Sequence, residues 1–372
     1  MKSILLYSLL MLTVSCSTGT QSIGRTTLKD AYAGKFYIGT ALNENQITGK
    51  DTASDKIVKE QFNAIVAENI MKSEVLQPKE GEFNFNMADK FVEFGEQNNM
   101  FITGHTLIWH EQASKWFFTD SLGNDVSREV LIERMRNHIS TVVGRYKGRV
   151  KGWDVVNEAI VDDGSYRNSK FYQIIGEDFI RLAFEFAHEA DPDAELYYND
   201  FGMDHSGKRE GVVEMVKKLK RQGVQINGIG MQSHIGLNYP PISEYEASIK
   251  AYAALGVKVM ITELDLSVLP LPDHRIGADV STNIEYQKKL NPYPQSLPDS
   301  MIVRFENRYL DFFRLFLNYE NSISRVTFWG VNDTQSWKNN WPVRGRKDYP
   351  LLFDRMNNAK PVVDRIIELT NK

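Results

Sequence analysis

The chain has 372 residues, 42% of them hydrophobic, with a formal net charge of −4. This length and apolar content allow a large buried core and exclude a disordered chain, and the charge carries no footprint for nucleic acid. The most basic run, Lys217, Lys218, Lys220 and Arg221, reads as the solvated face of a helix.

In chain order, the first segment is a leader. Lys2 supplies a positive start, Ile4 to Val14 an apolar stretch too short to span a membrane, and Ser15-Cys16 a small-residue cleavage site. Cys16 is the only cysteine, which excludes an intrachain disulfide. The segment resembles a bacterial lipoprotein signal, which implies a lipid on Cys16. A signal over 1–16 and a polar tether over 17–27 are therefore expected, followed by one domain over 28–372. The expected location is secreted or in the cell envelope, lipid-anchored at the outer surface or facing the periplasm, with the membrane touched only through that anchor.

From Leu28 onward, eight strand-like apolar runs appear: 36–42, 62–69, 101–108, 150–158, 195–201, 228–235, 258–265 and 325–333. Helical spacing fills the gaps. Leu131, Met135, Ile139, Val142 and Tyr146 make one apolar face; Tyr172, Ile175, Phe179, Leu182 and Phe186 make a second; Ile302, Phe305, Tyr309, Phe312 and Phe316 make a third. Strands alternating with helices imply parallel pairing through crossovers, so the fold class is α/β and the expected architecture a single (β/α)8 TIM barrel. A doubly wound open sheet is the alternative, but the glycine-rich phosphate turn it usually carries is not in the sequence.

The runs begin apolar and end polar: Glu68-Asn69, His105, Asn157-Glu158, Asn199-Asp200, Gln232 and His234, Glu263 and Asp265, Asn332-Asp333. In a barrel these ends converge on the face where such folds place their sites. Glu158 and Glu263, on the fourth and seventh runs, would face each other across the mouth. A gap of about 5–6 Å is expected, which suits a retaining glycosidase, whereas one of about 6.5–9.5 Å would mean inversion; the sequence alone does not fix it. Asp265 and His234 beside Glu263 would keep it ionised as nucleophile, leaving Glu158 as acid/base. Asn157 is placed to donate to a sugar 2-hydroxyl. Trp109, Trp329 and Trp337 fall at or just after strand ends, where indoles can pack on sugar faces, whereas Trp153 lies within a strand and reads as core. No His-Glu-x-x-His pair supports a metal site, and no Gly-x-Ser-x-Gly supports a serine nucleophile.

Seven blocks recur in order: AENIMK (67–72), GHTLIWHEQ (104–112), GWDVVNEAI (152–160), YYND (197–200), GMQSHI (230–235), ITELD (261–265) and TFWGVNDTQSW (327–337). Together they resemble glycoside hydrolase family 10, the endo-β-1,4-xylanases, over Gly34 to Asp364. The resemblance implies a retaining two-glutamate hydrolase of xylan or xylo-oligosaccharides that uses no metal or organic cofactor. Glu158 matches the acid/base and Glu263 the nucleophile. Glu68, Asn69 and Lys72 match residues on the non-reducing side of the cleaved bond. His105, Trp109, Gln112, Asn157, Gln232 and His234 match residues around the reacting sugar, Trp329 and Trp337 its aromatic walls.

Some positions depart from the family pattern. Ser73 replaces a frequent Trp, Glu111 stands inside the His-x-Gln element, and Phe201-Gly202 replaces a more usual Tyr-Asn on the leaving-group side. Val268 to Ser300, with five prolines, is expected to form an ordered loop over the site that shapes substrate choice. Two alternatives stand beside the xylanase reading: a β-1,4-glucan or mixed-linkage glucan hydrolase on the same fold, and a non-catalytic surface xylan-binding protein.

Overall fold

The computed structural model describes residues 26–270 and 288–371. The leader, Cys16 and all of the tether except Thr26 and Thr27 lie outside the described residues. Thr27 already belongs to the fold, its hydroxyl accepting the Asp30 N–H at the start of the helix Leu28–Ala31.

Nine parallel strands build the sheet: β1 (Tyr37–Leu42), β2 (Ala64–Ala67), β3 (Phe101–Trp109), β4 (Gly152–Asn157), β5 (Glu195–Asp200), β6 (Gly228–Met231), β7 (His234–Gly236), β8 (Lys258–Ser267) and β9 (Ile323–Phe328). Neighbours pair in sequence from β1 to β6, β6 pairs with β8, β8 with β9, and β9 returns to β1, which closes the barrel. Each of the eight sequence runs supplies one stave. The sixth is cut in two at Gln232-Ser233, where Ser233 takes a positive φ of 67°. Beyond the cut, β7 pairs with the upper part of β8 and puts His234 directly opposite Asp265.

The helical faces pack the outside of the barrel. Leu131, Met135, Ile139, Val142 and Tyr146, along the helix Arg128–Arg145 and at its end, are all fully buried. The second face is carried by two helices, Lys170–Ile175 and Asp178–Ala190, and not by one. Gly176, at φ 80° and ψ −170°, ends the first of them and donates its N–H to the Tyr172 carbonyl, in a positive-φ conformation that glycine enters without a Cβ penalty. The third face lies on Asp299–Asn318.

The expected loop over the site is not borne out by its described part. Residues 271–287, Pro272 among them, lie outside the described residues. No described residue of 268–300 lines the main cleft; Val268, Leu269, Pro270, Pro292 and Tyr293 instead line a separate cavity of about 400 Å³. β8 runs on to Ser267, whose hydroxyl bonds Asp348.

Inside the barrel wall Trp153 is 1% exposed, as expected of a core residue. It stands in register with Gly104 on β3, and a Cβ at Gly104 would sit 2.1 Å from the indole. Substituting Gly104→Ala should therefore cost about 1–3 kcal/mol by overpacking, measured as a lower urea midpoint with an unchanged slope.

Candidate active site

The strand ends open into a cleft of about 1180 Å³. Of the residues singled out in the sequence, Glu68, Asn69, Lys72, His105, Trp109, Asn157, Glu158, Gln232, His234, Glu263, Trp329 and Trp337 line it. Asp265 stands one layer behind, as expected.

Glu263, on β8, is 5% exposed. Its Oε1 accepts the Asn199 amide at 2.9 Å and its Oε2 lies 3.2 Å from His234 Nε2. Burial alone would raise its pKa, but the His234 hydrogen bond, the electrostatic pull of His105 and His234, and the Asn199 bond bring it below the ordinary carboxylate value. His234 is held from its other side by Asp265, 3.1 Å from Nδ1. Burial would lower the imidazole pKa, yet Asp265 and Glu263 lift it to about 9. Asp265 in turn is neutralised by Lys338 at 3.1 Å and takes the Trp337 indole N–H at 2.9 Å. Burial works against its ionisation, and Lys338 and His234 outweigh it, leaving its pKa lowered.

Glu158 is the first residue beyond β4. Its Oε1 accepts Gln232 Nε2 at 2.8 Å and Asn157 Nδ2 at 3.2 Å, while its Oε2 accepts the Trp109 indole N–H at 2.8 Å. These donors are neutral, whereas Glu263 touches an imidazole biased toward its cationic form. The two carboxylates thus sit in one mouth with different electrostatic surroundings.

At one end of the cleft Lys72 Nζ bonds Asn69 Oδ1 and Gln112 Oε1, each at 2.7 Å, and lies over the Trp109 ring at 4.7 Å. Burial lowers the Lys72 pKa against the pull of Glu263, Glu68 and Glu158. His105 is fixed by Asp154, with Nδ1 and Oδ2 2.9 Å apart, and meets Trp329 edge-on.

Gln112 stands behind the cleft-lining Lys72, accepting its ammonium at 2.7 Å, and also donates to Glu74 at 3.1 Å. One expectation needs correction: Asn332 and Asp333, read as polar strand ends, are buried away from the cleft, Asn332 bonding Ser54 and Asp333 pairing with Lys360. Asn199 was not singled out as a site residue, although it is the penultimate residue of β5. Its amide also donates to Asn157 Oδ1 at 2.9 Å, and its Oδ1 is fixed by Thr262 at 2.6 Å, so it bridges both carboxylate-bearing strands. Trp341, also not singled out, lines the cleft with its ring 5.4 Å from that of Trp337.

The sequence profile described as Glycosyl hydrolase family 10 matches residues 27–369. The chain belongs to that family. It is 52% identical to endo-1,4-beta-xylanase A of Xylanibacter ruminicola over 92% of this chain and 93% of that one. It is 44% identical to an endo-1,4-beta-xylanase of Geobacillus stearothermophilus over 92% and 98% of the two chains. Among solved structures, a GH10 endoxylanase from a sugarcane soil metagenome superposes with a TM-score of 0.87 at 44% identity, covering 93% of this chain and all of that one. Xylanase XynB of Paenibacillus barcinonensis, complexed with a conduramine derivative, superposes at 0.83 with 39% identity over 93% and 99% of the chains. A family 10 barrel thus carries this carboxylate pair.

The charge network also ties the site to folding. Because the His234 pKa is raised in the folded protein, its contribution to stability is fully present below pH 6.5 and is lost as pH rises toward about 9. Urea unfolding across that interval should show a larger loss of stability in the natural protein than in His234→Gln.

Proposed function

We propose that the protein hydrolyses internal β-1,4-xylosidic bonds of xylan or xylo-oligosaccharides with retention, Glu263 acting as nucleophile and Glu158 as acid/base. In the first step a Glu263 oxygen bonds to the anomeric carbon as the glycosidic C–O bond breaks, and the Glu158 proton passes to the departing oxygen. In the second, water gives a proton to Glu158 and its oxygen takes the anomeric carbon, releasing the Glu263 carboxylate. The observation that carries this reading is the unequal environment of the two carboxylates: Glu263 is kept ionised by His234 and Asn199, while Glu158 is met by the neutral amides and indole of Gln232, Asn157 and Trp109. The substrate is supported by the relatives, which are endo-1,4-beta-xylanases over nearly the whole of both chains. Trp329, Trp337 and His105 would wall the reacting sugar, with Glu68, Asn69 and Lys72 holding the sugar on the non-reducing side. Gln112 would act through Lys72. The leader ending at Cys16 supports a lipid-tethered enzyme outside the cytoplasm.

Two substitutions test the roles. Glu263→Ala should abolish turnover of xylan. Glu158→Ala should lose roughly 10²–10⁴-fold on xylan, the share general acid catalysis supplies, and much less on aryl xylosides with good leaving groups. Near-full activity of Glu263→Ala, read as reducing-end release from xylan, would remove the assignment.

A further inference from the structure

Glu158 turns the chain at φ 58°, in the left-handed region, which is unfavourable for a non-glycine residue and persists only where its surroundings hold it. Side chains hold this turn from outside the cleft. The Tyr198 hydroxyl accepts the N–H groups of both Ala159 and Ile160, each at 3.0 Å. Arg167 Nε donates to the Glu158 carbonyl at 2.7 Å.

A phenol accepting two bonds has one proton left to give, and Tyr198 gives it to Asp200 Oδ2 at 2.5 Å. Burial first, then Asp200, push the phenol pKa well above its usual value, so the hydroxyl remains a donor throughout the working range. Asp200 Oδ1 takes the Phe201 N–H at 2.9 Å and the Lys208 ammonium at 3.1 Å. Tyr198, Asp200 and Lys208 are each 0% exposed, and none lines the cleft. Burying an ion pair costs several kcal/mol per charge, and apolar side chains of similar volume often stabilise as well or better. The trio therefore has no need to exist for packing alone.

The helix Ser206–Arg221 that carries Lys208 is locked to the loop following Glu158. A Cβ on Gly207 would lie 2.6 Å from the Asp162 carbonyl oxygen, and one on Gly211 would lie 2.3 Å from that of Gly164. Lys208 Nζ also lies 3.4 Å from Asp162 Oδ1. Helix, loop and turn thus form one packed unit behind the carboxylate.

We propose that Tyr198, oriented by the Asp200–Lys208 pair, is a positioning residue that fixes the Glu158 turn and so aims its carboxyl at the glycosidic oxygen. The inference rests on Glu158 being the acid/base. A displaced acid loses rate through misplacement of the proton, and the loss is greatest where the leaving oxygen most needs that proton.

Tyr198→Phe keeps the ring and removes the hydroxyl. Its kcat/KM on xylan should fall roughly 10-fold or more, whereas kcat/KM on a dinitrophenyl xylobioside should fall less than about 3-fold. Glu158→Ala is measured beside it on both substrates. If Glu158→Ala slows both alike, the acid/base reading fails and the inference with it. If Glu158→Ala discriminates between the substrates while Tyr198→Phe slows both equally, or neither, the positioning role alone is overturned. Should Tyr198→Phe not fold, as judged by circular dichroism, Asp200→Asn takes its place on the same two substrates: a selective loss on xylan supports the positioning role, and equal slowing, or none, overturns it.

Discussion

Two carboxylates buried in one barrel mouth repel each other and lack bulk water, so every oxygen needs a partner or the group protonates. Asn199, Asn157 and Gln232 meet that constraint. The Asn199 amide reaches both Asn157 and Glu263, and Gln232 reaches Glu158 while its own backbone carbonyl accepts the Glu263 N–H at 2.9 Å. Three amides, two on strands β4 and β5 and one at the break between β6 and β7, thus hold the pair in one hydrogen-bonded lattice. The remaining asymmetry comes from His234: it carries the Asp265–Lys338 pair on one side and presents its other nitrogen to Glu263. Removing charge anywhere along that line changes the carboxylate that the proposed mechanism needs ionised.

The scaffold supplies the precision. Sites built on strands are held more tightly than sites on loops, and here Glu263 lies within β8 while Glu158 is one residue beyond β4, with Asn157, Asn199 and His234 on strands beside them. The cut in the sixth stave matters here. The positive φ at Ser233 sets β7 against the upper part of β8, and without it His234 would not stand opposite Asp265. Glu158 also has a positive φ, so two of the mouth's polar residues, Glu158 and Ser233, sit on backbone that an ideal strand would not adopt.

Much of this was legible in the sequence. The eight apolar runs mark the staves because both faces of a parallel barrel strand are buried, and the heptad-like faces mark the helices that cover them. Glu158, Glu263, His234 and Asp265 stood out because a carboxylate or imidazole at the end of an apolar run has no packing reason to be there. The missed features are those that depend on side-chain direction. Asn332-Asp333 resembles the other polar strand ends, yet begins four residues beyond the end of β9 at Phe328, and both side chains are buried away from the cleft against Ser54 and Lys360. Asn199 was visible as a polar end, but its bridging role needs two neighbouring strands to be in register, which no single run reveals. Gly176 breaks an apolar face whose spacing alone continues unbroken, because hydrophobic periodicity records burial and not the turn between two helices.

The proposed roles of Glu158 and Glu263 differ from inversion in one observable: which face of the anomeric carbon the new bond takes. Proton NMR followed from the first minute of xylo-oligosaccharide hydrolysis reads this directly, before mutarotation mixes the anomers. Double displacement through Glu263 requires the β-anomer to appear first, with the α-anomer growing in later. An α-anomer as the initial product would contradict it.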